Sequence, residues 1–197
     1  MQLCLCHQET PYAPVAILNI LHEPDPRLRQ KSAPVQEITP AVLKNVQDMK
    51  DTLLSEGNGV ALAAPQVDIH KRIVVYTMDC FDPDEANNHQ ALFHADQPIA
   101  VMINPTITTT SADTVIEGEG CLSIPGVAVS LKRFKSIMVD FQDAAGAQHS
   151  AKVQGFLSRA IQHEIDHLDG ILMFDHLPAD VKKDVVHRYR LLEGVFG

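Results

Sequence analysis

The chain has 197 residues, a length that suits one domain and leaves little room for two. Hydrophobic residues make up 45% and charged residues 21%, enough to bury a core and too apolar for wholesale disorder. With 16 Lys+Arg against 25 Asp+Glu the formal charge is -9, which argues against a broad phosphate-gripping face and against direct nucleic-acid readout. No apolar run approaches the roughly 18 residues of a membrane span, so no membrane partner is expected. The opening MQLCLCHQETPYAP lacks a cationic stretch leading into an apolar one, so no secretory leader is expected either. Cys4, Cys6, Cys80 and Cys121 show no disulfide framework, which fits reduced thiols and a cytoplasmic address. The spacing Cys4-x-Cys6-His7 matches neither a zinc pattern nor a haem attachment and reads as incidental thiols in a mobile extension over 1–16.

Along the chain, 17–21 alternates enough to predict a short strand, broken by Pro24-Asp25-Pro26. Thr39 and Pro40 read as an N-cap and first helical residue. Val42, Val46, Met49 and Leu53 then recur at helical spacing, widened by Leu43 and Leu54, and Gly57 marks the end. Strands are predicted at 72–78, 100–103, 136–142 and 150–153, where Val, Ile and Thr concentrate. The polar stretch 79–98 reads as a surface excursion, and the Thr-rich 105–114 as an exposed strand and turn. Leu157, Ile161, Ile165 and Leu168 form the stripe of a second helix closed by Gly170, and a last helix is predicted over about 179–192. A helix, a block of strands and then helices indicate an α+β fold with an antiparallel-dominated sheet.

The sharpest chemical signal is Gln162-His163-Glu164-Ile165-Asp166-His167, inside the second helix. Four helical residues turn about 400°, so His163 and His167 project from nearly one face and can share a metal ion. Glu164 lies about 100° round the helix, placed to reach a water beside the ion rather than the ion itself. Two imidazoles leave a catalytic metal short of a ligand. Asp169, Asp175 and His176 follow at unpersuasive spacings; Cys121, flanked by Gly120, is the better candidate, because one thiolate with two imidazoles leaves a position open. Read alone, Cys121 is equally well a small buried hydrophobe. A third segment, Gly57 to Gln66, is rich in small residues and ends on an amide able to donate to a developing oxyanion. It is no dinucleotide loop, since Leu62 stands where a third glycine belongs and no strand precedes it. A purely structural turn stays open for it. Asp166 is expected to pair with Arg133, locking the helix to the strand after Cys121.

Together GVALAAPQ (59–66), EGCLS (119–123) and QHEIDH (162–167) resemble, in order, the three signature motifs of the peptide deformylase family, and 20–35 is similar to its N-terminal region. The resemblance covers about 17–177. It implies antiparallel sheets around a central metal-binding helix, in a single catalytic domain over 17–197 with a C-terminal helix. It implies Cys121, His163 and His167 as ligands of one divalent ion, usually Fe²⁺, with Zn²⁺ or Ni²⁺ also able to occupy the site. Glu164 would be the general acid/base, with Gln66 and the backbone N–H of Leu122 donating to the formyl oxygen. Gly59 would lie beside the substrate, and Val60 and Glu119 would shape the methionine pocket. The implied reaction removes the N-formyl group from nascent chains beginning with formyl-methionine. The chain departs from the family at Ala61, where a glycine is common, and at Gly126-Val127-Ala128, where many members carry a peptide-holding arginine. Some members dock on the ribosome through a basic tail; here Lys182, Lys183, Arg188 and Arg190 are mixed with Asp180, Asp184 and Glu193, which leaves ribosome contact open. Two rivals remain: a zincin-like metallopeptidase, which needs a third ligand after His167, and a non-enzymatic structural metal site, which leaves Glu164 without a task.

Overall fold

The computed structural model describes residues 16–77 and 99–196, with side chains to 191. The readings placed on Cys4, Cys6, His7, Cys80 and the whole of 79–98 lie outside the described residues. The first helix, α1 (Pro40–Ser55), begins as expected, Thr39 Oγ1 accepting from the Val42 N–H at 3.3 Å with Pro40 in the first turn.

Five strands form one antiparallel sheet in the order β1-β2-β3-β6-β7: β1 (Ala61–Ala63), β2 (Ile73–Thr77), β3 (Ile99–Thr110), β6 (Ser136–Gln142) and β7 (Gln148–Gln154). A separate ribbon pairs β4 (Thr114–Cys121) with β5 (Ile124–Phe134). The second helix, α2 (Gly155–Leu168), and a last one, α3 (Ala179–Phe196), complete the chain. The sheet is covered on both faces, and β2 shows why its sequence reads as an unbroken apolar run. Val74 and Tyr76 face Leu157, Ile161 and Ile165 of α2, while Ile73 and Val75 face Val46, Met49 and Leu53 of α1. A third cluster joins Ile124 and Leu131 of β5 to Leu172, Phe174 and Tyr189. The helix α2 thus lies between the sheet and the ribbon, against β1, β5 and β7. The expected α+β arrangement is the one that forms.

The local expectations fare unevenly. Residues 17–21 are extended but join no sheet: the Leu18 N–H donates to Thr52 Oγ1 of α1, and the Leu21 N–H to the Gln66 carbonyl, so their partners are a helix and a turn. The predicted 100–103 and the Thr-rich stretch after it are one strand, β3, carried past Asn104 at φ 55° with register shifts against β6. Of the ribbon, only a strand somewhere after Cys121 was expected, without bounds, because Gly118 and Gly120 in β4 and Pro125 and Gly126 in β5 obscure the alternation. Its inner face nevertheless alternates cleanly, with Val129, Leu131 and Arg133 buried in turn.

At its C-terminus α2 closes in a Schellman arrangement. The Ile171 N–H donates to the Asp166 carbonyl and the Gly170 N–H to the His167 carbonyl, with Gly170 at φ 74°. A Cβ there would sit 2.4 Å from the Arg29 carbonyl oxygen, so glycine is demanded by conformation and by space. Gln162 fixes the helix from the side, its Nε2 donating to the Phe134 carbonyl at 2.9 Å and its Oε1 accepting from the Phe134 N–H at 3.1 Å.

Candidate metal centre and active site

Leu157, Ile161 and Leu168 are buried under the sheet, which presents the opposite side of α2 to the ribbon. From it His163 and His167 project with ring centroids 4.9 Å apart. The tight turn between β4 and β5, where Cys121 pairs with Ile124, delivers the thiol to the same place. Cys121 Sγ lies 3.2 Å from His167 Nε2, and one ligand atom from each of Cys121, His163 and His167 falls within 4.8 Å of the others. The donor set, one soft sulfur and two imidazoles, fits a divalent transition metal. Burial opposes a charge on His163, but the Cys121 sulfur and the Glu119 carboxylate outweigh it and hold the imidazole well above its ordinary 6.5. Burial, and then the charge of His163, push His167 well below that value.

The His163 ring is oriented from behind. Its Nδ1 meets Glu119 Oε2 at 3.1 Å, which leaves Nε2 for an ion. Glu119 is gripped in turn by Arg133, Nε to Oε1 at 2.9 Å and Nη2 to Oε2 at 3.0 Å. The third nitrogen, Arg133 Nη1, reaches Asp166 Oδ2 at 2.6 Å, the expected pair. Asp166 Oδ2 also meets His176 Nε2 at 2.6 Å. The chain of contacts closes a ring from α2 through β4 and β5 back to α2. Glu119 lines the cavity; burial pushes its pKa up, but His163 and Arg133 engage its carboxylate and hold the value down to about 2. That backing role went unread in the sequence, where an acid two residues before a candidate ligand was the available signal. Asp169 and Asp175, weighed as third ligands, pair instead with Arg72 and with Lys182 and Arg29.

A cavity of about 870 Å³ opens in front of the metal group, lined by Gly59, Val60, Gln66, Glu119, Cys121, Leu122, His163 and Glu164 among others. Every candidate site residue except His167 therefore borders it. Glu164 is buried, its Oε2 has no hydrogen-bond partner among the described residues, and burial raises its pKa to about 7. Gln66 is held by its oxygen, which accepts from the Ala63 N–H at 2.8 Å. Its amide nitrogen is thereby turned toward Ser123 Oγ at 3.1 Å and Cys121 Sγ at 3.7 Å. Ser123, fully buried, was not singled out from the sequence. Gly59 faces Leu122 across the cavity: an added Cβ would lie 3.3 Å from Leu122 Cδ1 and 2.7 Å from Leu53 Cδ1. Neither Arg159 nor Phe156, which form the cavity wall along α2, was anticipated.

Residues 17–183 match the family model for polypeptide deformylase. The peptide deformylase of Orientia tsutsugamushi (strain Boryong) is 38% identical over 170 residues, covering 86% of this chain and 91% of that protein. Among solved structures, peptide deformylase from Ehrlichia chaffeensis superposes with a TM-score of 0.79 at 33% identity, covering 91% of this chain and 98% of that one. The Ehrlichia chaffeensis protein in complex with actinonin gives a TM-score of 0.77 at 32% identity, covering 91% and 99%. Three motifs converging on one Cys-His-His group, in a chain matched almost end to end, place this protein in the polypeptide deformylase family.

Proposed function

We propose that the protein removes the N-formyl group from formyl-methionine at the start of nascent polypeptides, in the cytoplasm, yielding formate and a free amine. The observation that carries this reading is the convergence of Cys121, His163 and His167 beside a buried carboxyl, Glu164, whose pKa of about 7 suits taking and returning a proton at neutral pH.

The softness of one thiolate and two imidazoles permits either iron or zinc; the family resemblance favours Fe²⁺ as the resident ion, with Zn²⁺ or Ni²⁺ as alternatives on the same ligands. When bound, a divalent ion supplies Lewis-acid chemistry, acidifying water toward a pKa of about 7 and polarising a carbonyl. Glu164 takes the proton of the attacking water as its oxygen bonds to the formyl carbon. Gln66 Nε2, already aimed past Cys121, and the Leu122 backbone N–H donate to the oxygen on which negative charge develops. Glu164 then returns the proton to the departing amine nitrogen as the carbon–nitrogen bond breaks. Gly59 and Leu122 lie close together on the approach, and a formyl carbon, bearing only hydrogen, needs less room there than the methyl-bearing carbon of an acetyl group. Cleavage inside polypeptides by a zincin-type site finds less support, since Asp169 and Asp175 are committed to cations elsewhere.

The test is substrate discrimination. Protein purified without air and loaded with Fe²⁺ or Ni²⁺ is given a formyl-Met peptide, its acetyl counterpart and an unblocked peptide. Formate from the first alone is the expected result; internal cleavage, or no formate, would remove the assignment.

A further inference from the structure

Of the three candidate ligands after His167, Asp169 and Asp175 are committed to cations, and His176 takes no part in the reaction set out above. Its place is nonetheless fixed. His176 ends a short turn of 3-10 helix, Met173–His176, whose Met173 and Phe174 are buried with Leu131 of β5 and Tyr189 of α3. Asp175 pins the same turn, accepting from the Leu172 N–H at 2.8 Å and from Lys182 at 2.6 Å. A held backbone thus delivers His176 to the outer side of Asp166, where its Nε2 lies 2.6 Å from Oδ2.

A carboxylate only accepts, so the imidazole carries its proton on Nε2 and donates. Arg133 Nη1 donates to the same oxygen at 2.6 Å, and the two nitrogens stand 3.5 Å apart. Both are donors and cannot bond each other; Asp166 Oδ2 holds the two together, one on each lone pair. From Arg133 the contacts run inward to Glu119, and from Glu119 to His163 Nδ1. Exposure falls along the series, from 34% of the His176 side chain to 5% of the Arg133 side chain. A wholly exposed ion pair is worth little, because water competes for both partners and both side chains wander. Here the inner partners are buried, so a shift of Asp166 passes to Arg133 and on to the carboxylate that orients the ligand ring.

We propose that His176 is a positioning residue for the metal centre. Its Nε2–H fixes the Asp166 carboxylate and, through Arg133 and Glu119, the direction in which His163 presents Nε2 to an ion. The proposal rests on the metal-dependent deformylase reading above. It does not require His176 to be charged, since a neutral imidazole with its proton on Nε2 also donates.

For the test, wild type, His176→Leu and His176→Gln are loaded with Co²⁺, whose visible absorption reports ligand geometry, and then placed in excess EDTA. His176→Leu is expected to shift the absorption and to release Co²⁺ about tenfold faster. It should also lower kcat on a formyl-Met peptide by more than it raises KM. Glutamine, whose amide nitrogen reaches the place of Nε2, should return all three readouts toward wild type. If His176→Leu does not fold, His176→Asn, whose amide stops short of Asp166, takes its place. Absorption and release unchanged from wild type in the leucine or asparagine variant would overturn the proposal. So would a glutamine variant as impaired as leucine, since the hydrogen bond would then not be the cause. Wild type that takes up no Co²⁺, or releases no formate, would overturn the reading beneath the proposal, a result distinct from variants that match the wild type.

Discussion

Arg133 Nη1 lies 2.6 Å from Asp166 Oδ2 while Nε and Nη2 of the same guanidinium hold both oxygens of Glu119. One buried cation therefore ties the ligand helix to the strand that ends in Cys121, and through Glu119 it sets the orientation of the His163 ring. Asp166→Asn keeps the shape and removes the charge. Loss of such a backing contact typically costs about 10–100-fold in metal affinity or activity. Metal retained after dialysis, measured beside formate release, checks this; unchanged retention and rate would show that the pair only decorates the helix.

Glu164→Gln should keep the metal and lose about 10²–10⁴ in turnover. Its Oε2 has no hydrogen-bond partner among the described residues, and glutamine has nearly the same shape but cannot accept a proton at neutral pH. A variant that loses its metal would instead make Glu164 a ligand.

Gly170→Ala should destabilise the protein by about 3 kcal/mol: roughly 1–2 from the left-handed backbone and the rest from contact with the Arg29 carbonyl. Urea denaturation of the two proteins measures it. A loss under about 0.5 kcal/mol, the scatter expected of a neutral surface change, would mean the helix exit relaxes freely.

A pH dependence follows from Asp175, whose carboxylate accepts from Lys182 at 2.6 Å and from the Leu172 N–H at 2.8 Å, and also pairs with Arg29. Burial pushes its pKa up, but these partners win and hold it below the ordinary 3.8. The stabilisation is complete above pH ~4 and is lost as pH falls through the depressed value. Asp175→Asn, still able to accept from Leu172, should cost about 1 kcal/mol at pH 7, the group being partly exposed. Its melting temperature should converge on that of the wild type in acid. A gap that stays constant with pH would assign the loss to packing.

What the sequence made legible follows the strength of local physics. The α1 cap at Thr39 and the stripe Leu157, Ile161, Ile165 and Leu168 were readable because helical periodicity and capping are local signals. His163 and His167 were readable for the same reason, since one helix fixes both. The ribbon was legible only as a strand somewhere after Cys121, because Gly118, Gly120 and Gly126 carry no side chains to mark a period. Long-range partners were the hardest to see: Gln66 with Ser123, Glu119 with His163 and Arg159 with Glu117 are joined only by the folded topology. Residues 17–21 looked like a strand because alternation reports extended backbone, and nothing local says whether its hydrogen bonds go to a sheet.

The central claim is a metal-dependent deformylase built on one Cys-His-His group, and an anaerobic titration addresses it directly. Metal-free protein receives increasing Fe²⁺, and formate release from a formyl-Met peptide is recorded at each addition. Activity should be absent at zero metal, rise linearly and break at about one equivalent per chain, as a single three-ligand site requires. Formate release that is independent of added metal, or absent at every ratio, would contradict the account.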